Sequence, residues 1–528
     1  MTNEEWEHNE ALHRALLDES RPVDVDKQHA RGKLTARERI AYLLDDDGIL
    51  EYGGLVRPDT ENLAGGVTAD TLARGLEAPA DGIVTCTGRI DGRPVAVMAS
   101  DFMVLGGSQS PAGGGAKMRR MAELSLRHGI PLVTLLDGAG HRIHSMDSKS
   151  FAFGGTLGPF PEMTLASGWA PHVSAVMGPS FAGPAMIAGC ADFLAMVKGT
   201  SQIGMAGPKL VKAGTGEDLG IEEVGGWEVH TRSGAVEAVA DDDRECLDLL
   251  RRFLGYLPSN ASELPAVVRI DDPGGRLAPE LRDLVPTNRR QGYDVTTAIA
   301  AIVDRDSWME LRAGYAKNAV VGIARLDGIP VGVIANQPRS LAGVIDSDAC
   351  SKMLYLVTLC NTYGLPIISL IDTPGLMVGA AAEKSGLVRR SARLVVALGQ
   401  LTVPFVSIVL RKGYGGGYML MGGGRTYDSV ASLFWPTAEV CAMGIEGAVD
   451  IAFSREYESA PDPAARRAEL IDAFYAQVTT ARSASGFGID DVIDPAATRQ
   501  HIAAALNVSA RRRHTRRRPA SAGSVALI

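Results

Sequence analysis

PHVSAVMGPSFAGP at residues 171–184 and PFVSIVLRKGYGGG at residues 404–417 are two versions of one stretch, a branched apolar run that ends in a glycine turn. They lie 233 positions apart (404 − 171), and nearly the same spacing recurs upstream. GIPLVTLLDGAG (129–140) matches GLPIISLIDTPG (364–375) at 235 (364 − 129), and RIDGRPVAVMA (89–99) matches RLDGIPVGVIA (325–335) at 236 (325 − 89). An offset that drifts by only three positions across three blocks is not chance. A period this long is far beyond any solenoid unit, so the chain reads as two domains of one fold. Within each copy strands alternate with helices, which predicts a layered α/β domain.

Composition narrows the function. The 528 residues are 46% hydrophobic and 22% charged, ordinary for a globular chain, but glycine is abundant at 60 while aromatics are only 5%. Such a balance suits turns in which backbone approaches backbone or ligand. A net charge of −9 argues against a general nucleic-acid binder, so a polyanionic ligand must meet a local basic patch. The six cysteines are scattered without a metal-ligand spacing, which predicts reduced thiols of a cytoplasmic protein and no structural zinc. The N-terminus is acidic where a secretory signal is basic, and no apolar run reaches the roughly 18 to 20 residues that span a bilayer. Residues 3–19 predict an amphipathic helix on Trp6, Leu12, Leu16 and Leu17, and the basic segment 27–40 opens a second one. The Pro-, Asp- and Arg-rich tract predicts a linker at 264–285 between a first domain, 1–263, and a second, 286–528, whose basic tail spans 511–518.

The chemistry points to the turns. In each copy a buried strand, 173–177 or 406–410, runs into a glycine turn, 178–183 or 411–417, and then a helix. Small residues there leave main-chain N–H groups exposed at a helix start, an arrangement that stabilises negative charge. One turn alone reads first as a packed strand–helix corner; two at matching points of a duplicated domain favour paired oxyanion holes. Asp137 and Asp372 end matching strands and read first as turn-forming carboxylates, with a direct role as the alternative. Ser180 lacks the spacing of a nucleophile elbow, and the glycine run 113–115 before Lys117 lacks the Lys-Ser/Thr pair of a phosphate loop.

Further blocks carry a resemblance. Gly-Lys-Leu-Thr-Ala-Arg-Glu-Arg-Ile (32–40), Tyr-Ala-Lys-Asn (315–318), Asn-Gln-Pro (336–338), Arg-Lys-Gly-Tyr-Gly-Gly-Gly-Tyr (411–418) and Trp-Pro-Thr-Ala-Glu (435–439) resemble the carboxyltransferase β subunits of biotin-dependent acyl-CoA carboxylases. The resemblance covers about residues 10–510, with the propionyl-CoA carboxylase β chain as the relative. It implies two tandem crotonase-like (ClpP/crotonase) ββα-superhelix domains, a hexamer, and a site between the first domain of one subunit and the second domain of another. It implies carboxyl transfer from carboxybiotin to the α-carbon of an acyl-CoA, with biotin on a separate carrier subunit served by a biotin carboxylase, a coenzyme A thioester as substrate, and no metal. The ureido nitrogen freed of its carboxyl group can take the α-proton, which explains why no side-chain base stands out. By position, Ala182 and Gly183 are the implied hole for the thioester, Gly416 and Gly417 that for biotin; Met419, Phe181 and Tyr418 shape the acyl pocket, and Lys117, Arg119 and Arg120 meet the CoA phosphates. His230 matches a family histidine and reads as structural.

The first domain departs from the family. Gly-Pro-Cys-Ala-Gly-Gly-Ala becomes Gly178-Pro179-Ser180-Phe181-Ala182-Gly183-Pro184, and Pro184 has no N–H to donate. Met419 stands where propionyl-type enzymes usually have Asp, so the expectation is an acyl substrate other than, or beyond, propionyl-CoA. A biotin-dependent acyl-CoA decarboxylase subunit and a catalytically altered member with a structural or regulatory role are the alternatives.

Overall fold

A computed structural model describes residues 3–57, 78–109, 111–141, 158–268, 270–427, 429–509 and 511. The chain separates into two compact units between Glu263 and Leu264. Each is built on an eight-stranded sheet, and the two sheets have one topology.

In the first unit the strands are β1 (Leu50–Glu51), β2 (Ile83–Ile90), β3 (Arg93–Ser100), β4 (Leu132–Gly138), β5 (His172–Phe181), β6 (Phe193–Val197), β7 (Gln202–Gly204) and β8 (Ala238–Ala240). Their order is β1-β2-β3-β4-β5-β6-β8, with β7 pairing the far end of β5. The second unit repeats this with β9 (Met309–Leu311), β10 (Ala319–Leu326), β11 (Ile329–Asn336), β12 (Ile367–Thr373), β13 (Phe405–Tyr414), β14 (Ala431–Phe434), β15 (Glu439–Cys441) and β16 (Asp491–Val492). The order is β9-β10-β11-β12-β13-β14-β16, and β15 pairs the far end of β13. The expected tandem crotonase-like α/β fold is what the structure has.

Local chemistry explains the repeated elements. The hairpins β2–β3 and β10–β11 close through Asp91-Gly92 and Asp327-Gly328, whose φ values of 50°, 76°, 53° and 76° are those of a type I′ turn, the form that Asp-Gly favours. Helices α1 (Ala116–His128) and α2 (Ser347–Tyr363) follow, and each stops at a left-handed glycine, Gly129 or Gly364, whose N–H returns to Ser125 or Cys360. The next strands, β4 and β12, are buried along their whole length, as their unbroken branched runs require of central parallel strands.

Three expectations change. Residues 411–414 were expected in the turn but belong to β13, and 178–181 belong to β5, because β15 and β7 pair with them and hold the backbone extended: Tyr414 opposes Cys441, and Phe181 opposes Gly204. The helix expected over 3–19 ends at Arg14; Leu16 is buried, but Trp6 and Leu17 are exposed. The tract 264–285 is no free linker, since Ala278 and Leu281 sit in the hydrophobic core of the second unit. Of the basic tail, residues 512–518 lie outside the described residues; Arg511 donates to the carbonyl of Pro265 at 3.0 Å.

Candidate active site

Both turns emerge from the same irregularity. Pairing of β4 with β5 shifts register between Leu136 and Gly138, and pairing of β12 with β13 shifts between Ile371 and Thr373, so one aspartate in each copy faces a looped-out stretch of its neighbour. Those aspartates are Asp137 and Asp372, both buried. Asp372 accepts from Arg411 Nε at 3.0 Å and from the Lys412 N–H at 3.1 Å. Burial pushes its carboxyl upward in pKa, and Arg411 opposes the shift. Asp137 accepts from Lys33 Nζ at 2.7 Å and from Arg39 Nη1 at 2.9 Å. The aspartates therefore brace the strands beneath the turns, as turn-forming carboxylates do.

Beyond them the backbone opens. In the second unit Tyr414 caps helix α3 (Gly415–Leu420), and Gly415 takes φ +53°. A side chain on Gly417 would bring Cβ to 2.8 Å from the Cα of Gly375, and one on Gly416 to 3.0 Å from Leu376 Cδ1. The turn is thus a tight cradle of main chain that any Cβ would fill. In the first unit the matching positions are Phe181, Ala182, Gly183 and Pro184. Ala182 has φ +58° and ψ −113°, a conformation natural only to glycine. Its N–H is spent on the carbonyl of Gly204 at 2.9 Å, so the expected donor Ala182 drops out. A Cβ at Gly183 would meet only open space among the described residues.

The expected pocket and phosphate residues are distributed differently. The ring of Phe181 packs on Gly204 and Gly207. Tyr418 is wedged among Gly413, Gly423 and Gly424, where burial pushes its hydroxyl well up in pKa, while Met419 beside it is 41% exposed. Lys117 does not reach outward: its ammonium is buried, donates to the carbonyls of Ala80 (3.0 Å) and Ile83 (2.6 Å), and is lowered by burial to about 8. A phosphate role for Lys117 is therefore withdrawn. Arg119 is paired with Glu162 at 2.8 Å and Arg120 with Glu123 at 3.4 Å, leaving both half-exposed at the helix surface. His230 bonds the carbonyl of Ile203 at 2.7 Å, a structural use.

Sequence reasoning missed the partner of Lys117. Lys352, 235 positions on, donates to the carbonyls of Tyr315 and Ala319, both at 2.8 Å, and burial lowers it too to about 8. Lys117 sits in the first turn of α1 and Lys352 in the second turn of α2, and each ties the chain entering β2 or β10. The signal was present as a Lys-Met pair at 117–118 and at 352–353.

Residues 27–522 match the carboxyl transferase domain family. The chain belongs to that family. It is 37% identical to the propionyl-CoA carboxylase carboxyltransferase subunit of Haloferax mediterranei over 92% of each chain. It is 34% identical to the methylmalonyl-CoA decarboxylase α subunit of Propionigenium modestum, again over 92% of each. Among solved structures it matches the transcarboxylase 12S hexamer, crystallised with methylmalonyl-coenzyme A, at a TM-score of 0.88 and 35% identity, over 99% of this chain and 98% of that one. The protein is a carboxyltransferase. Among the described residues no helix is long and apolar enough to cross a membrane, and no group of three metal-binding side chains converges.

Proposed function

We propose that this carboxyltransferase is the subunit of a biotin-dependent acyl-CoA carboxylase that passes a carboxyl group from carboxybiotin to the α-carbon of an acyl-CoA. The observation that carries the reading is the pair of main-chain turns at matching points of the two units, centred on Gly183 and on Gly416 and Gly417. At Gly416 and Gly417 the absence of side chains keeps the main chain bare, since a Cβ there would close to 3.0 Å on Leu376 and 2.8 Å on Gly375, and a bare main chain suits an approach by biotin. Biotin, held on a separate carrier, supplies the transferable carboxyl group. The N–H groups of Gly416 and Gly417 orient its ureido oxygen, and that of Gly183 holds the thioester oxygen as negative charge develops on it. A donor so placed is worth about 3 to 4 kcal/mol in the transition state.

Met419 lies two residues past Gly417 on the same helix, and its exposed thioether sets the apolar wall of the acyl site. Arg119 and Arg120 remain the basic groups of the first unit for CoA phosphates, since each needs only to exchange a surface glutamate, a pairing worth about 1 kcal/mol or less. The working protein is a homo-oligomer, a hexamer as in transcarboxylase 12S, partnered by a biotin carboxylase and a biotin carrier. Six free cysteines suit the reducing cytoplasm.

The test is carboxyl transfer in the presence of a biotinylated carrier, measured with acetyl-, propionyl-, butyryl- and longer acyl-CoAs and in both directions. Transfer that depends on acyl-CoA and peaks away from propionyl-CoA is expected. A clear preference for propionyl-CoA removes the specificity assigned to Met419, and no transfer with any acyl-CoA removes the whole reading. The likeness to a decarboxylase subunit supports a second direction, release of the carboxyl group from a carboxylated acyl-CoA to biotin. The reverse assay decides between them.

A further inference from the structure

The two buried aspartates are alike, but their cations come from different places. In the second unit Asp372 is met by Arg411, a residue of the very strand that leads to the turn, and Arg411 Nη1 also donates to the carbonyl of Gln291 at 2.8 Å. The position matching Arg411 in the first unit is 178, and there the chain has glycine. A Cβ at Gly178 would sit 1.8 Å from Asp137 Oδ1 and 2.6 Å from Lys33 Nζ, so the Asp137–Lys33 pair fills the volume that a side chain on the strand would need. Lys33 contacts both Asp137 oxygens, at 2.6 and 2.7 Å. Arg39 adds Nη1 to Asp137 at 2.9 Å, Nη2 to the carbonyl of Met177 at 3.4 Å, and Nε to Asp243 at 2.8 Å. Asp137, Lys33 and Arg39 are 0%, 5% and 1% exposed, and a charge so buried is tolerated only while its partners stay in place.

We propose that the N-terminal segment is a working part of the first half-site: Lys33 and Arg39, acting through Asp137, position the turn at Ala182 and Gly183 as Arg411, acting through Asp372, positions the turn at Gly416 and Gly417. These are positioning residues that touch no substrate. Their lever is the short stretch of β5 or β13 between the charged cluster and the N–H donors, and a displacement of about 1 Å at a catalytic group costs on the order of 100-fold in rate. The same geometry explains why position 178 is glycine, whereas the strained Ala182 nearby is not.

The test compares Lys33→Met, Lys33→Gln and Lys33→Arg with Arg411→Met and Arg411→Lys in the full chain. Two readouts are taken: amide hydrogen exchange at each turn, and kcat and KM for acyl-CoA and for biotin. Lys33→Met is expected to speed exchange of the Ala182 N–H at least tenfold while the Lys412 N–H, bonded to Asp372, stays protected. It is expected to lower kcat about tenfold or more with the KM for biotin unchanged, and Lys33→Arg restores most of the loss. Arg411→Met gives the mirror result. Should Lys33→Met fail to fold, Lys33→Gln, which keeps a hydrogen bond to Asp137, is read for the same pattern. Exchange that rises equally at both turns, or activity that falls only in step with the melting temperature, overturns the proposal. Which kinetic constant moves rests on the assignment of the turns to thioester and biotin; the exchange pattern does not. A wild type with no acyl-CoA-dependent transfer therefore defeats that assignment alone, while unchanged exchange at Ala182 defeats the positioning role alone.

Discussion

Replacing Ala182 with glycine should stabilise this protein, against the usual direction of a glycine substitution. At φ +58° and ψ −113° an alanine Cβ crowds its own backbone, a cost of about 1–3 kcal/mol. The conformation persists because neighbours dictate it: the Ala182 N–H is bonded to Gly204, and Pro184 follows in the first turn of the helix. Glycine removes the strain but gives the unfolded chain more freedom, a loss of about 0.4–1 kcal/mol. The net expectation is a gain of about 1 kcal/mol, which for a unit of this size raises the melting temperature by about 2–4 °C. The second unit supplies the control. Gly415 has φ +53° and a would-be Cβ 2.9 Å from the carbonyl oxygen of Ala442, so Gly415→Ala should cost about 1–3 kcal/mol. Differential scanning calorimetry on the intact oligomer reads both. An Ala182→Gly variant that melts at or below the wild-type temperature refutes the strain argument.

Two further outcomes follow from the same geometry. Gly417→Ala forces a methyl to 2.8 Å from Gly375 Cα, and it should lower kcat at least tenfold with little change in the KM for acyl-CoA; unchanged turnover would show that the second turn holds nothing in the transition state. Lys352, lowered by burial to about 8, binds its proton less tightly folded than unfolded, so its contribution to stability rises as pH climbs from about 8 toward 10.5. That gain is about 3 kcal/mol. Buried thiols such as Cys360, raised by burial, titrate in the opposite sense, so the measurement is the wild type minus Lys352→Met. That difference should grow in favour of the wild type across the range in urea unfolding at stepped pH, and a flat difference contradicts the assigned shift.

The duplication, the α/β class and the two turns were legible because they depend on order along the chain. Branched runs make buried strands, Asp-Gly makes a type I′ hairpin, and a family of sequences leaves its blocks in place. The list of donors was only partly legible. Ala182 looked like a donor in the linear sequence, yet its N–H is consumed by Gly204, a partner 22 positions away whose approach depends on β7 folding back beside β5. Lys117 looked like a surface cation before a phosphate, and only the path of residues 80–83 over the helix shows that its charge is already taken.

The amino-acid sequence by itself determined that this protein is two copies of one domain ending in paired glycine turns, because periodicity and turn chemistry are local properties. The tertiary structure decided which backbone groups those turns leave free and what holds them in position. Lys33 and Asp137 are 104 residues apart and Arg39 and Asp243 are 204 apart, and no short-range pattern encodes the burial that makes such charges seek each other out.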